Sequence, residues 1–205
     1  MSLPNKKRVG IYGGTFSPPH NGHVHAAKSF FEQMALDRLV IMPAGIPPHK
    51  MRTEQTSSED RLALCRAAFD FSSEITVSDM EIKREGKSYT ADTLTLMYGD
   101  ETELFLLCGT DMLLTLDTWY DPARIFRLAH IVYLARESDD TALCAMRGKA
   151  EGYRKVFGAR VSELIVTPLP MSSSEVRKCI KEGTSWEEKV PASVAALIRE
   201  KGLYL

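Results

Sequence analysis

Apolar and polar positions follow two rhythms along this chain, and the rhythms take turns. "RVGIY" (8–12), "RLVIMPA" (38–44), "ITVSDMEI" (75–82), "ELFLLCG" (103–109), "HIVYLAR" (130–136) and "ELIVTP" (163–168) are short apolar runs of strand type. Helical patterns fill the gaps. In "HVHAAKSFFEQMA" (23–35), Val24, Ala27, Phe31 and Met34 recur at helical spacing. "SSEDRLALCRAAFD" (57–70) opens on serine and acidic residues, a helix-start signal. "TADTLTLMYG" (90–99) reads as a helix with glycine at its end. "DTWYDPARIF" (117–126) is helical or irregular, and 139–157 reads as a weakly patterned helix. "SSEVRKCIKEG" (173–183) and "PASVAALIREKG" (191–202) close the chain as helices. Strands separated by helices of about 10–15 residues predict βαβ units and a parallel sheet. The expected fold is therefore α/β: one doubly wound domain spanning 1–205, with a small C-terminal helical portion at its side.

Composition changes this picture little. The chain has 205 residues, 44% hydrophobic and 26% charged, with a formal net charge of -1. No bulk field draws it to nucleic acid or to an anionic membrane. No apolar run approaches the ~20 residues of a bilayer span, and "MSLPNKKR" lacks the apolar core of a signal peptide. The expectation is cytoplasmic; a homodimer is compatible with it. Cysteines stand at 65, 108, 144 and 179 with no C-x-x-C spacing, and Cys65 and Cys108 lie inside apolar runs, which predicts buried reduced thiols.

The chemistry concentrates where the first strand meets the first helix, in "YGGTFSPPHNGH" (12–23). In doubly wound folds, ligands bind beyond the carboxyl ends of strands, where the strand order reverses. Gly13 and Gly14 let the backbone approach a ligand closely. The helix that follows offers free N–H groups and a partial positive charge, which suits a phosphate. Neither the P-loop pattern nor G-x-G-x-x-G is present, so positive character must come from elsewhere. His20 and His23 flank Gly22, and with a helix start near Asn21 both imidazoles lie around its first turn, able to donate to phosphate oxygens. A ligand-free glycine turn followed by capping or surface histidines is the structural alternative. A zinc site would need His25 to converge with the other two, against helical spacing; His25 reads as an ordinary helix residue.

A second anion-type element lies near the other end. "MSSSEVRK" (171–178) sets serines at a helix start, with Arg177 one turn after Ser174. Alone it is an ordinary capped helix. Paired with the first motif, it supplies the further donors that a triphosphate requires.

Together the two motifs resemble the H-x-G-H nucleotidylyltransferase superfamily, with His20-Asn21-Gly22-His23 as its first signature and Ser173, Ser174 and Arg177 as its second. Over residues 8 to 204 the chain is similar to the bacterial nicotinate mononucleotide adenylyltransferases. The similarity runs through "GGTFSPPHNGH", "PAGIPPHK" (43–50), "KSYTADTL" (87–94), "GTDMLLTLDTWY" (109–120) and "IREKGLY" (198–204), in that order. Ser17 stands where the family usually has aspartate, and Met171-Ser172-Ser173-Ser174 replaces an apolar residue followed by Ser-Ser-Thr or Ser-Ala-Thr. The resemblance implies a Rossmann-like fold and adenylyl transfer from ATP to nicotinate mononucleotide, with magnesium carried by the substrate phosphates rather than by protein ligands.

It also implies roles. Gly13, Gly14, Thr15 and Phe16, with His20 and His23, would cradle the ATP phosphates. Ser173, Ser174 and Arg177 would hold the β- and γ-phosphates, and Gly109 and Asp111 would meet the adenosine ribose. His20, His23 and Arg177 form the catalytic set. Lys50 and Arg136 would draw in the mononucleotide phosphate, while Thr90, Trp119 and Tyr120 would line the pyridine pocket. Each has a structural alternative: Trp119 as core, Asp111 as a helix cap, Lys50 as a solvated charge. "GIPPHKMRTEQTSS" (45–58) reads as a lid. The rivals are a sister phosphopantetheine adenylyltransferase or cytidylyltransferase, and a nucleotide sensor without turnover. The "SYT" and "DTWY" pair argues against the sister enzymes, and intact His20, His23 and Arg177 argue against the sensor.

Overall fold

The computed structural model describes residues 6–45, 56–84, 86–135, 140–167, 169 and 171–205. Within them, β1 (Lys7–Gly14), β2 (Arg38–Pro43), β3 (Ile75–Val77), β4 (Thr102–Cys108), β5 (Ala129–Ala135) and β6 (Val161–Ile165) form one sheet in the order β3-β2-β1-β4-β5-β6. Every neighbouring pair is parallel. This is the doubly wound order, and it reverses between β1 and β4. Tyr12 pairs with Leu107 there, so Gly13-Gly14 and Cys108-Gly109 leave the sheet side by side.

The strands are apolar on both faces because helices cover both. Tyr12, Leu39, Ile41, Phe105, Leu107 and Val132 face a layer made of α1 (Asn21–Gln33), α2 (Ser58–Ala68), α8 (Ser173–Glu182) and α9 (Ala192–Lys201). Ile11, Val40, Met42, Leu104, Leu106 and Ile131 face α4 (Thr90–Met97), α5 (Thr110–Thr115), α6 (Pro122–Leu128) and α7 (Asp140–Phe157). A one-turn helix, α3 (Met80–Lys83), sits at the β2 edge.

Several expectations need correction. The run 75–82 is not one strand: β3 stops at Val77, Ser78 Oγ accepts the Met80 N–H at 3.2 Å, and the chain turns into α3. α4 ends at Met97 without a glycine cap, and the Gly99 N–H instead donates to Thr102 Oγ1 at 2.9 Å. β6 covers 161–165 rather than 163–168, drawn into register by Ile131↔Val161. The C-terminal helices do pack on one side of the sheet, with Val176, Ile180, Val194 and Ile198 buried in the first layer's core. α7 looks weakly patterned because it buries only a narrow seam, Met146, Ala150 and Tyr153, three or four residues apart.

Cys65 and Cys108 are completely buried, and burial pushes both thiols up, Cys108 to about 12. The reactive species is the thiolate, so neither has any at neutral pH. Cys144 is exposed. A colorimetric thiol titration of the native protein should modify Cys144 at once, and Cys65 and Cys108 only on denaturation; prompt reaction of all the thiols in native buffer would contradict this packing.

Candidate active site

Beyond β1 the chain runs Thr15-Phe16-Ser17-Pro18-Pro19 to His20. The peptides that end in Pro18 and Pro19 carry no N–H, so this turn is rich in carbonyls and poor in donors. Those carbonyls are capped from elsewhere in the fold. Gly14 O accepts the Ala44 N–H at 2.9 Å. Thr15 O accepts Arg61 Nη1 at 3.1 Å. Ser17 O accepts Arg177 Nη1 at 2.5 Å, and Pro18 O accepts Ser173 Oγ at 2.9 Å. In a planar trans peptide the N–H points opposite the C=O. The Thr15 N–H therefore faces away from Ala44 and the Phe16 N–H away from Arg61.

Phe16 adopts φ 51, a conformation rare for a bulky residue. Its buried ring packs edge-on against Tyr12 (5.3 Å), His23 (5.1 Å) and Phe69 (5.8 Å). Only its backbone is left for a ligand. Ser17, the departure from the expected aspartate, turns its hydroxyl to Tyr204 Oη at 3.3 Å, both groups buried.

His20 is the N-cap of α1, in extended conformation. Its backbone N–H donates to His23 Nδ1 at 3.2 Å. That bond needs a lone pair on Nδ1, so a neutral His23 carries its proton on Nε2. The two rings lie 3.7 Å apart. Gly22 makes this possible: a Cβ there would stand 3.0 Å from His20 Nδ1 and 3.3 Å from Met171 Cγ. Met171 also ties the two motifs together, because the Gly22 N–H donates to its Sδ at 3.2 Å.

α8 brings the second motif alongside. Ser172 is its N-cap, accepting the Glu175 N–H at 3.1 Å. Ser174 Oγ accepts Arg177 Nη2 at 3.1 Å, so both functional groups of this motif face the 15–18 turn, and a guanidinium with five donors keeps several for an anion. Glu175 also stands near this helix start, but Lys189 lies 2.9 Å away and holds its carboxyl below the usual range.

Across the switch point, Gly109 caps α5 with open space where a Cβ would be, and Asp111 is exposed in its first turn. The expected pyridine-pocket segments also meet. Tyr89 and Tyr120 pack at a tilt with centroids 4.6 Å apart, and Arg124 pairs with Asp92 at 3.1 Å, locking α6 to α4. Thr90 begins α4, and Tyr120 is exposed. Trp119 is half-buried, packs partly on the second core, and donates its indole N–H to Thr115 Oγ1 at 3.3 Å. Lys50, Arg136 and the lid segment from 46 to 55 lie outside the described residues. Among the described residues, no group of three His, Cys, Asp or Glu is placed to hold a metal ion.

Sequence reasoning missed Arg61 and Tyr204. Arg61 had a signal: it falls on the stripe Arg61, Leu64, Cys65, Ala68 that α2 buries, a cation where an apolar residue belongs. Tyr204 closes the "IREKGLY" stretch of the resemblance, but its contact with Ser17, 187 residues away, had no signal.

A cytidylyltransferase-like family model matches residues 11–179. A protein of Desulfatibacillum aliphaticivorans named "Probable nicotinate-nucleotide adenylyltransferase" is 35% identical, with 97% of this chain and 100% of that one covered. One of the same name from Desulfitobacterium hafniense is 36% identical, with 97% and 96% covered. Among solved structures, the Plasmodium falciparum nicotinic acid mononucleotide adenylyltransferase complexed with NaAD superposes with a TM-score of 0.75 at 17% identity, covering 97% of each chain, a likeness of fold.

The turn and α8 together predict an anion site that can be tested without turnover. Inorganic tripolyphosphate should bind the wild-type protein and raise its Tm. Arg177→Ala should weaken that binding by roughly 1.5–3 kcal/mol, the range for a charge-assisted hydrogen bond. Unchanged affinity by calorimetry would reduce Arg177 to a strut for the Ser17 carbonyl.

Proposed function

The chain belongs to the nicotinate-nucleotide adenylyltransferases of the cytidylyltransferase-like family, and from that premise we propose how its residues divide the work. The reaction is adenylyl transfer from ATP to nicotinate mononucleotide, yielding nicotinate adenine dinucleotide and pyrophosphate in NAD biosynthesis. One observation supports this reading: the 13–23 turn leaves β1 and Gly109 leaves β4 where the strand order reverses, and Arg177 of α8 reaches the Ser17 carbonyl in that turn.

An oxygen of the mononucleotide phosphate attacks the α-phosphorus in line. The new P–O bond forms as the bond to the bridging oxygen of the β-phosphate breaks, and pyrophosphate leaves. No side chain need become covalently attached, so catalysis is positioning and charge stabilisation. The Thr15 and Phe16 N–H groups and His23 Nε2 donate to the phosphates. His20, packed on His23, adds its own imidazole at the reacting α-phosphate. Arg177 and Ser174 take the β- and γ-phosphates. Ser173 is already committed to Pro18 O, so it serves by holding the turn. Asp111 accepts from ribose hydroxyls beyond Gly109. Magnesium fits here as an ion that arrives on the triphosphate, held by phosphate oxygens and water; it would neutralise charge on the leaving pyrophosphate.

His20→Ala should lower kcat by about 10²-fold or more, the scale of losing one transition-state donor, with ATP affinity little changed. Gly22→Ala is a subtler probe. It favours the helix by up to about 1 kcal/mol yet pushes the His20 ring aside, so Tm should hold or rise while kcat falls. Steady-state kinetics beside a melting curve decide both, and wild-type turnover in either variant would remove His20 from the chemistry.

Ring selectivity follows from donors. Backbone N–H groups at the start of α4, by Thr90, and at Tyr120, next to the Trp119 N–H that is spent on Leu116 O, can serve both oxygens of a carboxylate. The amide of nicotinamide would set its NH₂ against a donor, and an unpaired buried donor costs about 1–3 kcal/mol before charge assistance is counted. The expected preference for nicotinate over nicotinamide mononucleotide is at least about 10²-fold in kcat/KM. Comparable values for the two substrates would mean that the pocket does not read the carboxylate in this way.

A further inference from the structure

We propose that Arg61 is a positioning residue that couples the two substrate half-sites, by holding the phosphate turn and the mononucleotide side of the pocket with one guanidinium; the inference rests on the division of the site given above.

Arg61 lies in the first turn of α2 and is only 4% exposed. Burying a guanidinium costs several kcal/mol unless acceptors compensate it. Nη1 donates to Thr15 O at 3.1 Å, while Nη2 donates to Gly45 O at 3.4 Å and to Ser58 Oγ at 3.3 Å. The two carbonyls belong to different loops, one leaving β1 and one leaving the neighbouring β2. Those loops also touch directly through Ala44 N–H and Gly14 O. The planar fork fixes the separation between its two acceptors, which an ammonium on a flexible stem does not.

From Gly45 the contact continues to the ring side. A Cβ on Gly45 would stand 2.1 Å from Glu81 O and 3.0 Å from Ser88 Oγ, so the loop's backbone lies directly against the segment that leads into α4. Ser88 Oγ donates to Glu81 O at 3.4 Å. The buried Glu81 carboxylate accepts Thr93 Oγ1 at 2.7 Å and so grips α4 from within. Burial pushes the Glu81 carboxyl up, and the Thr93 hydroxyl opposes that shift. The path Thr15, Arg61, Gly45, Glu81, Thr93 thus runs from the phosphate turn to the helix that begins at Thr90, next to Tyr89 and its partner Tyr120. Displacing Thr15 moves the acceptor that orients Arg61, and Arg61 then transmits the displacement to Gly45.

The test compares Arg61→Lys, Arg61→Ala and Gly45→Ala with the wild type, measuring kcat, the KM of each substrate, Tm, and nicotinate mononucleotide binding with and without a non-hydrolysable ATP analogue. Wild-type adenylyl transfer to nicotinate mononucleotide is the control: its absence would fail the function, not the coupling. Arg61→Lys keeps the charge and loses the fork. It should raise both KM values about tenfold, within the usual range of coupling factors, and abolish the analogue's effect on mononucleotide binding. Gly45→Ala should raise the mononucleotide KM alone, because it disturbs the ring side and leaves the Thr15 contact in place. If Arg61→Lys lowers Tm but leaves both KM values and the analogue's effect as in the wild type, Arg61 is purely structural and the proposal fails. It fails equally if only the ATP constant moves. Arg61→Ala should exceed the lysine variant in both constants; if it does not fold, the lysine and Gly45 variants decide the matter.

Discussion

The site depends on where the carbonyl oxygens of residues 14–18 go. A turn built as Ser-Pro-Pro has acceptors without matching donors, and an anion cannot approach a surface of exposed carbonyls. Ala44, Arg61, Ser173 and Arg177 each take one of these oxygens. Three of the four donors are side chains and the fourth is a backbone N–H, all remote in sequence, and two come from α8, more than 150 residues away. The carbonyls of Gly14, Thr15, Ser17 and Pro18 are all satisfied by these donors. The C-terminal layer is therefore part of the site's construction: without α8 packed through Val176 and Ile180, the Ser17 and Pro18 carbonyls would have no partners.

The doubly wound sheet divides the labour between its faces. Phosphate-type groups come from the layer of α1, α2 and α8; the aromatic pair comes from α4 and the segment before α6 on the other face. Only at the carboxyl edge of the strands do the two sets meet, and the open space at Gly13 and Gly109 lies there. Arg61 belongs to the first layer and Glu81 to the region beneath the second, with the end of β2 between them.

The elements that the sequence announced plainly were those with strong periodicity or strong caps. β1, β2, β4 and β5 are apolar on both faces and bounded by polar residues, and Ser57, Ser172 and Gly183 mark helix ends with their ordinary chemistry. The errors fall where periodicity is short. In 75–82 an apolar residue recurs every few positions whether the segment is strand or one-turn helix, and the Ser78-Asp79 pair that breaks it looks like strand polarity. Residues of the candidate site were legible as types, since histidine pairs and serine-arginine helix starts have few other uses together. Their partners were not. That Phe16 spends its ring on the core, Ser173 its hydroxyl on Pro18, and Ser17 its hydroxyl on Tyr204 follows from packing between distant segments, and no local pattern encodes it.

The histidine pair illustrates how the motif's spacing becomes chemistry. Three residues separate an N-cap from the position whose side chain can reach back to the cap's own N–H. Glutamate or glutamine does this in an ordinary helix; here His23 does it with Nδ1. The reach-back uses one ring nitrogen as acceptor, which in a neutral imidazole leaves the proton on the other. A glutamate in that place would close the same cap and present negative charge to an anion. Gly22 completes the arrangement by leaving room for His20 beside it, and the Ser17 carbonyl and Ser174 hydroxyl hold the Arg177 guanidinium at the turn.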